Sequence, residues 1–109
     1  METAIKDGKV WPLQTQLNTM ATIKANVTNV DSTVLVANPL RKFLQLTNDD
    51  NAGIIYVSFG TGAAVVGSGI RLGYNGGVYI ATRENLWAGE VHAIASVAGP
   101  IILSIVEGG

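Results

Sequence analysis

Short runs of β-branched and aromatic residues, broken roughly every 8–12 residues by glycine, asparagine or proline, constrain the fold of this sequence most. No stretch shows the 3.6-residue apolar period of a helix of useful length. About eight such runs can be counted, at residues 21–29, 33–37, 42–47, 54–59, 70–72, 78–81, 91–97 and 101–106. The pattern predicts an all-β protein, a small β-sandwich of jelly-roll or immunoglobulin-like type. Strand number does not separate these two topologies.

The strongest hairpin signal lies in residues 41–62. One β-prone run at residues 42–47 is followed by polar, turn-forming residues 48–53 and by a second run at residues 54–59. A connection of about six residues fits the longer class of hairpin loop. We therefore predict that these two strands pair as a central hairpin and that the other strands lie beside it.

The first 20 residues differ from the rest of the chain, because they are polar and show no sustained apolar period. We predict an extended N-terminal arm at residues 1–20 and one β-sandwich domain at residues 21–109. The exception within the arm is an apolar group formed by Val10, Trp11 and Leu13. A large aromatic side chain in a polar arm needs a docking site, which is either its own domain or a neighbouring subunit.

Composition points to a surface that is covered by something else. Charged residues make up 14% of the chain, against about 25% in typical soluble domains, although a small domain has a large surface to cover. We therefore expect contact with a partner or with further copies of the chain. The basic residues are scattered, so no nucleic-acid footprint is predicted.

Neither a membrane span nor a signal peptide is predicted. No stretch approaches the ~18 apolar residues of a membrane helix, and the N-terminus lacks the apolar region of a signal peptide. We expect synthesis in a cytoplasm. The chain contains no cysteine, which excludes disulfides and thiolate metal sites.

Catalytic and metal-binding patterns are incomplete. His92 is the only histidine and has no base–orienter pair in the pattern. A structural or surface role is therefore predicted, with pH sensing at an interface as the alternative. Asp49 and Asn51 match two positions of a calcium loop, but Gly53 and Gly60 occupy the later ligand positions. We predict no metal, no cofactor and no enzymatic activity.

Two further patterns invite chemical interpretations that we do not adopt. The glycines of residues 60–69 lack the Lys-Ser/Thr ending of a phosphate loop, so we interpret them as turn glycines. Glu84 and Glu90 flank Trp87, and paired carboxylates are typical of glycosidases. A domain of this size has little room for a deep cleft, and both glutamates fall in a predicted exposed loop.

From residue 38 onward, several groups of strand and turn residues follow one another in an order that carries a family resemblance. They are Asn38-Pro39-x-Arg41-x-x-Leu44-x-Leu46-x-Asn48, Ile55-Tyr56-Val57-x-Phe59-Gly60, Gly69-Ile70-x-Leu72, Gly76-Gly77-x-Tyr79, Asn85-Leu86-Trp87-x-Gly89-x-Val91-x-Ala93-Ile94, then Gly99 and residues 101–106. In these groups the chain resembles a family of small structural proteins of tailed bacteriophages. The matching residues are structural rather than chemical.

The resemblance implies a virion component, most of all a capsid decoration (cement) protein. Such a protein would bind the major capsid protein on the outer surface of the assembled shell, after synthesis in the host cytoplasm. Related sequences resemble modules of head fibres and tail-associated proteins. The alternative is therefore a fibre or tail module that binds host-surface glycan through Tyr74, Tyr79 and Trp87.

We expect self-association into a dimer or trimer, and contacts through the arm and through two loops, residues 60–69 and 82–90. The predicted partner-binding residues are Val10, Trp11, Leu13, Leu86 and Trp87.

Overall fold

A computed structural model of the chain describes residues 20–109, which form two four-stranded antiparallel sheets packed face to face. The strands are β1 (Met20–Val27), β2 (Ser32–Leu35), β3 (Phe43–Asn48), β4 (Ile55–Phe59), β5 (Ile70–Leu72), β6 (Val78–Ala81), β7 (Val91–Ala95) and β8 (Ile101–Gly108). Sheet I has the order β1-β8-β3-β6, and sheet II has the order β2-β7-β4-β5. The predicted all-β sandwich is confirmed.

Strand pairing distinguishes the two predicted topologies. Each strand pairs with its counterpart counted from the other end of the chain: β1 with β8, β2 with β7, β3 with β6, and β4 with β5. Pairing of β3 with β8 and of β4 with β7 completes the sheets. Eight strands in this order form a jelly roll, whereas an immunoglobulin domain pairs its strands differently.

Alternating side chains from the inner faces of both sheets build the core. Leu44 and Leu46 of β3 are fully buried, because residues two apart in a strand share one face, and Ile55 and Val57 of β4 are buried in the same core from sheet II. This alternation is typical of a sheet with one face on the core. The remaining fully or nearly fully buried apolar side chains of the cluster are Val27, Leu35, Leu72, Ala81, Val91, Ala93, Ala95, Ile101, Leu103 and Ile105.

The predicted central hairpin is wrong. β3 belongs to sheet I and β4 to sheet II, so the connection between them crosses the sandwich. The side chain of Asn48 lies at this crossing, where its Nδ2 donates to the carbonyl oxygens of Gly53 at 2.9 Å and of Leu72 at 3.0 Å. Those hydrogen bonds join the end of β3 to backbone of the opposite sheet instead of to a paired strand.

Among the described strands, only β4 and β5 are consecutive in the chain and paired in one sheet. They are joined by residues 60–69, where Gly69 is required because an added Cβ would lie 2.4 Å from the Val57 carbonyl oxygen. The predicted turn at Asn75 and Gly76 is confirmed by positive φ angles of 62° and 102°. That turn also crosses between sheets, from β5 to β6.

The predicted boundary between arm and domain is shifted by one residue, because Met20 begins β1. Residues 1–19 lie outside the described part of the chain. Residues 20–109 include no helix long and apolar enough to cross a membrane.

Candidate functional site

The antiparallel registers bring several predicted contact segments to one end of the sandwich, here called the arm end. Met20 of β1 and Phe43 of β3 both lie opposite Gly108 of β8. The connections at residues 36–42, 60–69 and 82–90 leave the sheets at this same end. The two predicted adhesive loops therefore lie beside the position where the chain enters from the arm.

Arg41 ties the arm end together from inside. Its side chain is buried, and its Nε donates to Glu107 Oε2 at 2.8 Å. Nη1 donates to the carbonyl oxygens of Trp87 at 2.7 Å and Gly89 at 3.0 Å, and Nη2 donates to that of Val36 at 2.8 Å. One guanidinium thus joins two loops to the last strand. Sequence reasoning missed this role because it treated Arg41 as one of several scattered basic residues.

The predicted contact residues Leu86 and Trp87 pack inward. Both are half-buried against the core. The Trp87 ring stacks on Phe59 with centroids 6.0 Å apart, and its Nε1 donates to the Glu90 carbonyl oxygen at 2.8 Å. One face of the indole ring and its N–H donor are therefore used in contacts within the domain. The other three predicted contact residues, Val10, Trp11 and Leu13, lie outside the described residues.

A shallow groove of about 340 Å³ lies where β1 begins. Met20 and Leu40, on its rim, are 62% and 72% exposed, although both side chains are large and apolar. Its lining residues are Met20, Ala21, Asn38, Leu40, Glu107, Gly108 and Gly109. The groove therefore lies beside Met20, the first residue that the structure describes.

The outer face of sheet I is broad and almost uncharged. It is formed by the residues that alternate with the buried ones, and every one of them is half-exposed or exposed. Val78 and Ile80 are 49% and 48% exposed. Lys24 is the one charged side chain among the residues of this face, which are Thr22, Lys24, Asn26, Phe43, Gln45, Thr47, Val78, Ile80, Ile102, Ser104 and Val106.

One edge of sheet I is open. β1 pairs only with β8, in a continuous eight-residue register, and no strand within residues 20–109 pairs with its other side. The other three edge strands have four, four and three residues. Proteins usually shorten, bulge or charge such an edge, but β1 carries only Lys24. Sequence reasoning found the strand and not its position at the edge.

Sheet II carries a compact charged cluster on its outer face. His92 Nε2 lies 2.9 Å from Glu90 Oε1, and His92 Nδ1 lies 3.2 Å from Asp31 Oδ1. The Asp31 oxygen also accepts a 2.7 Å hydrogen bond from the amide of Ala64. The contact with Glu90 and then that with Asp31 raise the pKa of His92 above 6.5, against the opposing effect of burial. The charged imidazolium donates to both carboxylates.

This cluster does not resemble a hydrolytic triad. Ser58 stands opposite His92 in the β4–β7 register, but both ring nitrogens lie against carboxylates, at 2.9 and 3.2 Å, so neither is directed at the Ser58 hydroxyl as a catalytic base would be.

The acidic residues after β3 stabilise a local turn. Asp50 Oδ1 accepts hydrogen bonds from the amides of Asn51 at 2.8 Å and Ala52 at 3.1 Å, which is the chemistry of an Asx turn. In residues 20–109, no group of three or more histidine, aspartate or glutamate side chains could hold a metal ion.

The aromatic residues of the glycan-binding alternative do not form one platform. Tyr79 and Trp87 both pack on Phe59 inside the sandwich, whereas Tyr74 is 55% exposed in the turn at the opposite end. Glu84 and Glu90 also face different groups, because Glu84 accepts from the Thr82 hydroxyl and Glu90 contacts the histidine of the charged cluster.

Comparisons with family profiles, with curated proteins and with solved structures each find no match for this chain. The function is therefore inferred from the chain's own residues and geometry.

Proposed function

We propose that this chain is a non-enzymatic structural protein of a tailed-phage virion, which binds the outer surface of the assembled shell and stabilises it. The observation that carries the proposal is the outer face of sheet I, where Lys24 is the one charge among eleven side chains. The resemblance of residues 38–106 to phage structural proteins supplies the kind of partner, the major capsid protein.

The physical argument starts from desolvation. Burying charged groups is expensive, whereas apolar, threonine and glutamine side chains on a β-face can be covered at little penalty when their polar atoms find partners. The depletion of charge at the centre of a contact surface is typical of protein interfaces. Jelly rolls occur in viral capsid and lectin domains alike, so the fold itself does not select the function. The charge-poor face does favour a protein partner.

The open edge of β1 offers a second kind of contact. No strand of residues 20–109 pairs with its outer side, so the backbone groups there can pair with an extended strand, either from the shell or from a second copy of the chain. A two-fold arrangement of two β1 strands would extend sheet I across a dimer. Such self-association is the dimer expected from the sequence, and a trimer would require a different surface.

Stabilisation of the shell would follow from mass action. A protein that binds only the assembled lattice lowers the free energy of that state by its binding free energy. Many copies on one lattice add avidity even when each contact is weak. No catalytic step is needed for this function.

Co-sedimentation with empty shells of the parent phage tests the proposal. We expect saturable binding of the full-length chain and at least about tenfold weaker binding of Val78→Lys, because the new charge would have to be desolvated. Val30→Lys is the matched control, since Val30 is 67% exposed in the turn at the far end. It should bind like the unmodified chain.

Two outcomes would contradict the proposal. Equal binding by both variants and the unmodified chain would remove the role of the outer face of sheet I. Failure of the unmodified chain to bind shells would favour the fibre or tail alternative. Glycan-array binding that disappears in Trp87→Ala would then support that alternative directly.

A further inference from the structure

The charged cluster on sheet II lies outside the proposed docking face, yet contacts on both ring nitrogens hold its histidine in place. His92 is 8% exposed, and both of its ring nitrogens face carboxylates. Through Asp31 the cluster reaches the loop at residues 60–69, whose middle is fixed by the hydrogen bond from the Ala64 amide to Asp31 Oδ1 at 2.7 Å.

Ala64 is the anchor of this loop. It is 4% exposed, while its neighbours on both sides are exposed. The first residue of the loop, Gly60, donates from its amide to the Glu90 carbonyl oxygen at 3.1 Å. The loop itself contains no charged residue. Its middle is thus held to the sheet through Ala64 and through a carboxylate whose own position depends on His92.

We propose that Asp31, His92 and Glu90 form a proton-dependent latch, in which the imidazolium fastens residues 60–69 to sheet II and the neutral imidazole releases them. In the closed state, Nε2–H donates to Glu90 and Nδ1–H is shared between the two oxygens of Asp31, at 3.2 and 3.3 Å. Protonation of the ring therefore allows it to donate one hydrogen bond to each of the two carboxylates.

Loss of that proton to a solvent base breaks one of the two contacts. The Nε2 contact is the shorter, at 2.9 Å, so the neutral ring keeps Nε2–H. Its Nδ1 lone pair then faces the Asp31 carboxylate, and the two electron-rich groups repel each other. Asp31 leaves the ring, and Ala64 with its loop leaves with it. The sequence predicts this loop as a partner contact, whereas the docking face proposed above is on sheet I and does not include the loop.

Within residues 20–109, no cationic side chain contacts the ring of His92. Its cross-strand neighbours are Thr33 on β2 and Ser58 on β4, and neither is titratable. The titratable groups that face the ring are Asp31, in the turn before β2, and Glu90, before β7. Because these two carboxylates raise the pKa of His92 above 6.5, more than half of the molecules hold the closed latch at pH 6.5. It opens as the pH rises through the raised value.

NMR titration of the labelled full-length chain from about pH 5.5 to about pH 9 tests the latch. The chain has one histidine, so its imidazole signals need no further assignment. We expect the imidazole midpoint to lie above 6.5 and the Ala64 amide signal to move with the same midpoint. Heteronuclear NOE values of residues 60–69 should fall over the same range.

Two variants separate the latch from other pH effects. His92→Gln should remove the pH-dependent step at Ala64. Glu84→Gln removes a carboxylate of the neighbouring loop that contacts Thr82 and not the histidine, so it should keep the step. A midpoint at or below 6.5, an Ala64 signal that ignores the histidine titration, or a step that persists in His92→Gln would each overturn the latch.

The titration is made on the isolated chain, so its result is independent of shell binding. The latch stands even if the chain proves to be a fibre module, and it fails even if shells bind normally.

Discussion

The two outer faces of this sandwich have opposite characters, although each is one side of a four-stranded antiparallel sheet. The face of sheet I carries Lys24 as its one charge and ends in the open eight-residue edge of β1. The face of sheet II holds His92 between two carboxylates and is joined through Asp31 to the loop at residues 60–69. The outer face of sheet I is the proposed docking face, whereas that of sheet II contacts a loop of its own chain.

The difference arises from where the chain makes its connections. Each described connection crosses between sheets except that from β4 to β5. This one in-sheet connection is also the glycine-rich loop, and it folds back to reach Asp31. Sheet I has no equivalent loop within residues 20–109. Within residues 20–109, the jelly-roll order thus leaves the outer face of sheet I uncovered and places the glycine-rich loop against the outer face of sheet II.

The largest expected effect is a loss of folding stability when Arg41, whose hydrogen bonds connect both sheets at the arm end, is replaced. Arg41→Met should lower the free energy of unfolding by about 3–5 kcal/mol, because it leaves Glu107 and three carbonyl oxygens without their buried partner. Urea unfolding measures this loss. The exposed Arg83 gives the control Arg83→Met, which should change stability by less than about 0.5 kcal/mol.

A small loss in Arg41→Met would show that the arm end does not hold the two sheets together. Separate unfolding transitions would show that the two faces belong to different cooperative units.

An effect of intermediate size is expected on self-association when the edge strand β1 of sheet I is changed. Thr22→Lys places a second cation beside Lys24 on β1. Pairing of two β1 strands in a dimer would bring the lysines of both copies close together, and like charges across a strand pair are destabilising. We expect the association constant of the chain with itself to fall by roughly tenfold, about 1.4 kcal/mol. Sedimentation velocity measures it, with Thr61→Lys on the exposed loop of the other sheet as the matched control. An equal fall in both variants would argue against the edge of β1 as the self-association surface.

The smallest effect should be confined to the outer face of sheet II and should depend on pH. Because the folded chain raises the pKa of His92, the stabilisation is complete below 6.5 and is lost as pH rises through the folded value. The melting temperature of the unmodified chain should therefore decline above pH 6.5 relative to that of His92→Gln. Parallel curves for the two proteins between about pH 5.5 and about pH 9 would contradict this sign.

The strands and their inner faces were predictable from the sequence, because alternation is a local property. Leu44 and Leu46, for example, are buried as their spacing requires. The pairing partners were not predictable in the same way. The six polar residues after β3 satisfy a hairpin and a crossing equally well, and long-range pairing with β6 and β8 decides between them.

The candidate sites were less predictable than the strands. The side chain of Arg41 is buried among partners that lie far away in sequence, namely the carbonyl oxygens of Trp87 and Gly89 and the carboxylate of Glu107. The partners of His92 lie at positions 31 and 90, and nothing local marks Asp31 as a neighbour of the ring. The outer face of sheet I likewise becomes visible only once β1, β8, β3 and β6 stand side by side. Charge depletion in the composition was the one signal that pointed toward it.

A cryo-EM reconstruction of the parent virion would test the central claim most directly. Our account predicts density for this sandwich on the outside of the shell, with Val78, Ile80 and the other side chains of the outer face of sheet I turned toward the major capsid protein. His92 and the loop at residues 60–69 should face away from that contact. A sandwich that meets the shell through sheet II, or a shell without this chain, would contradict the account.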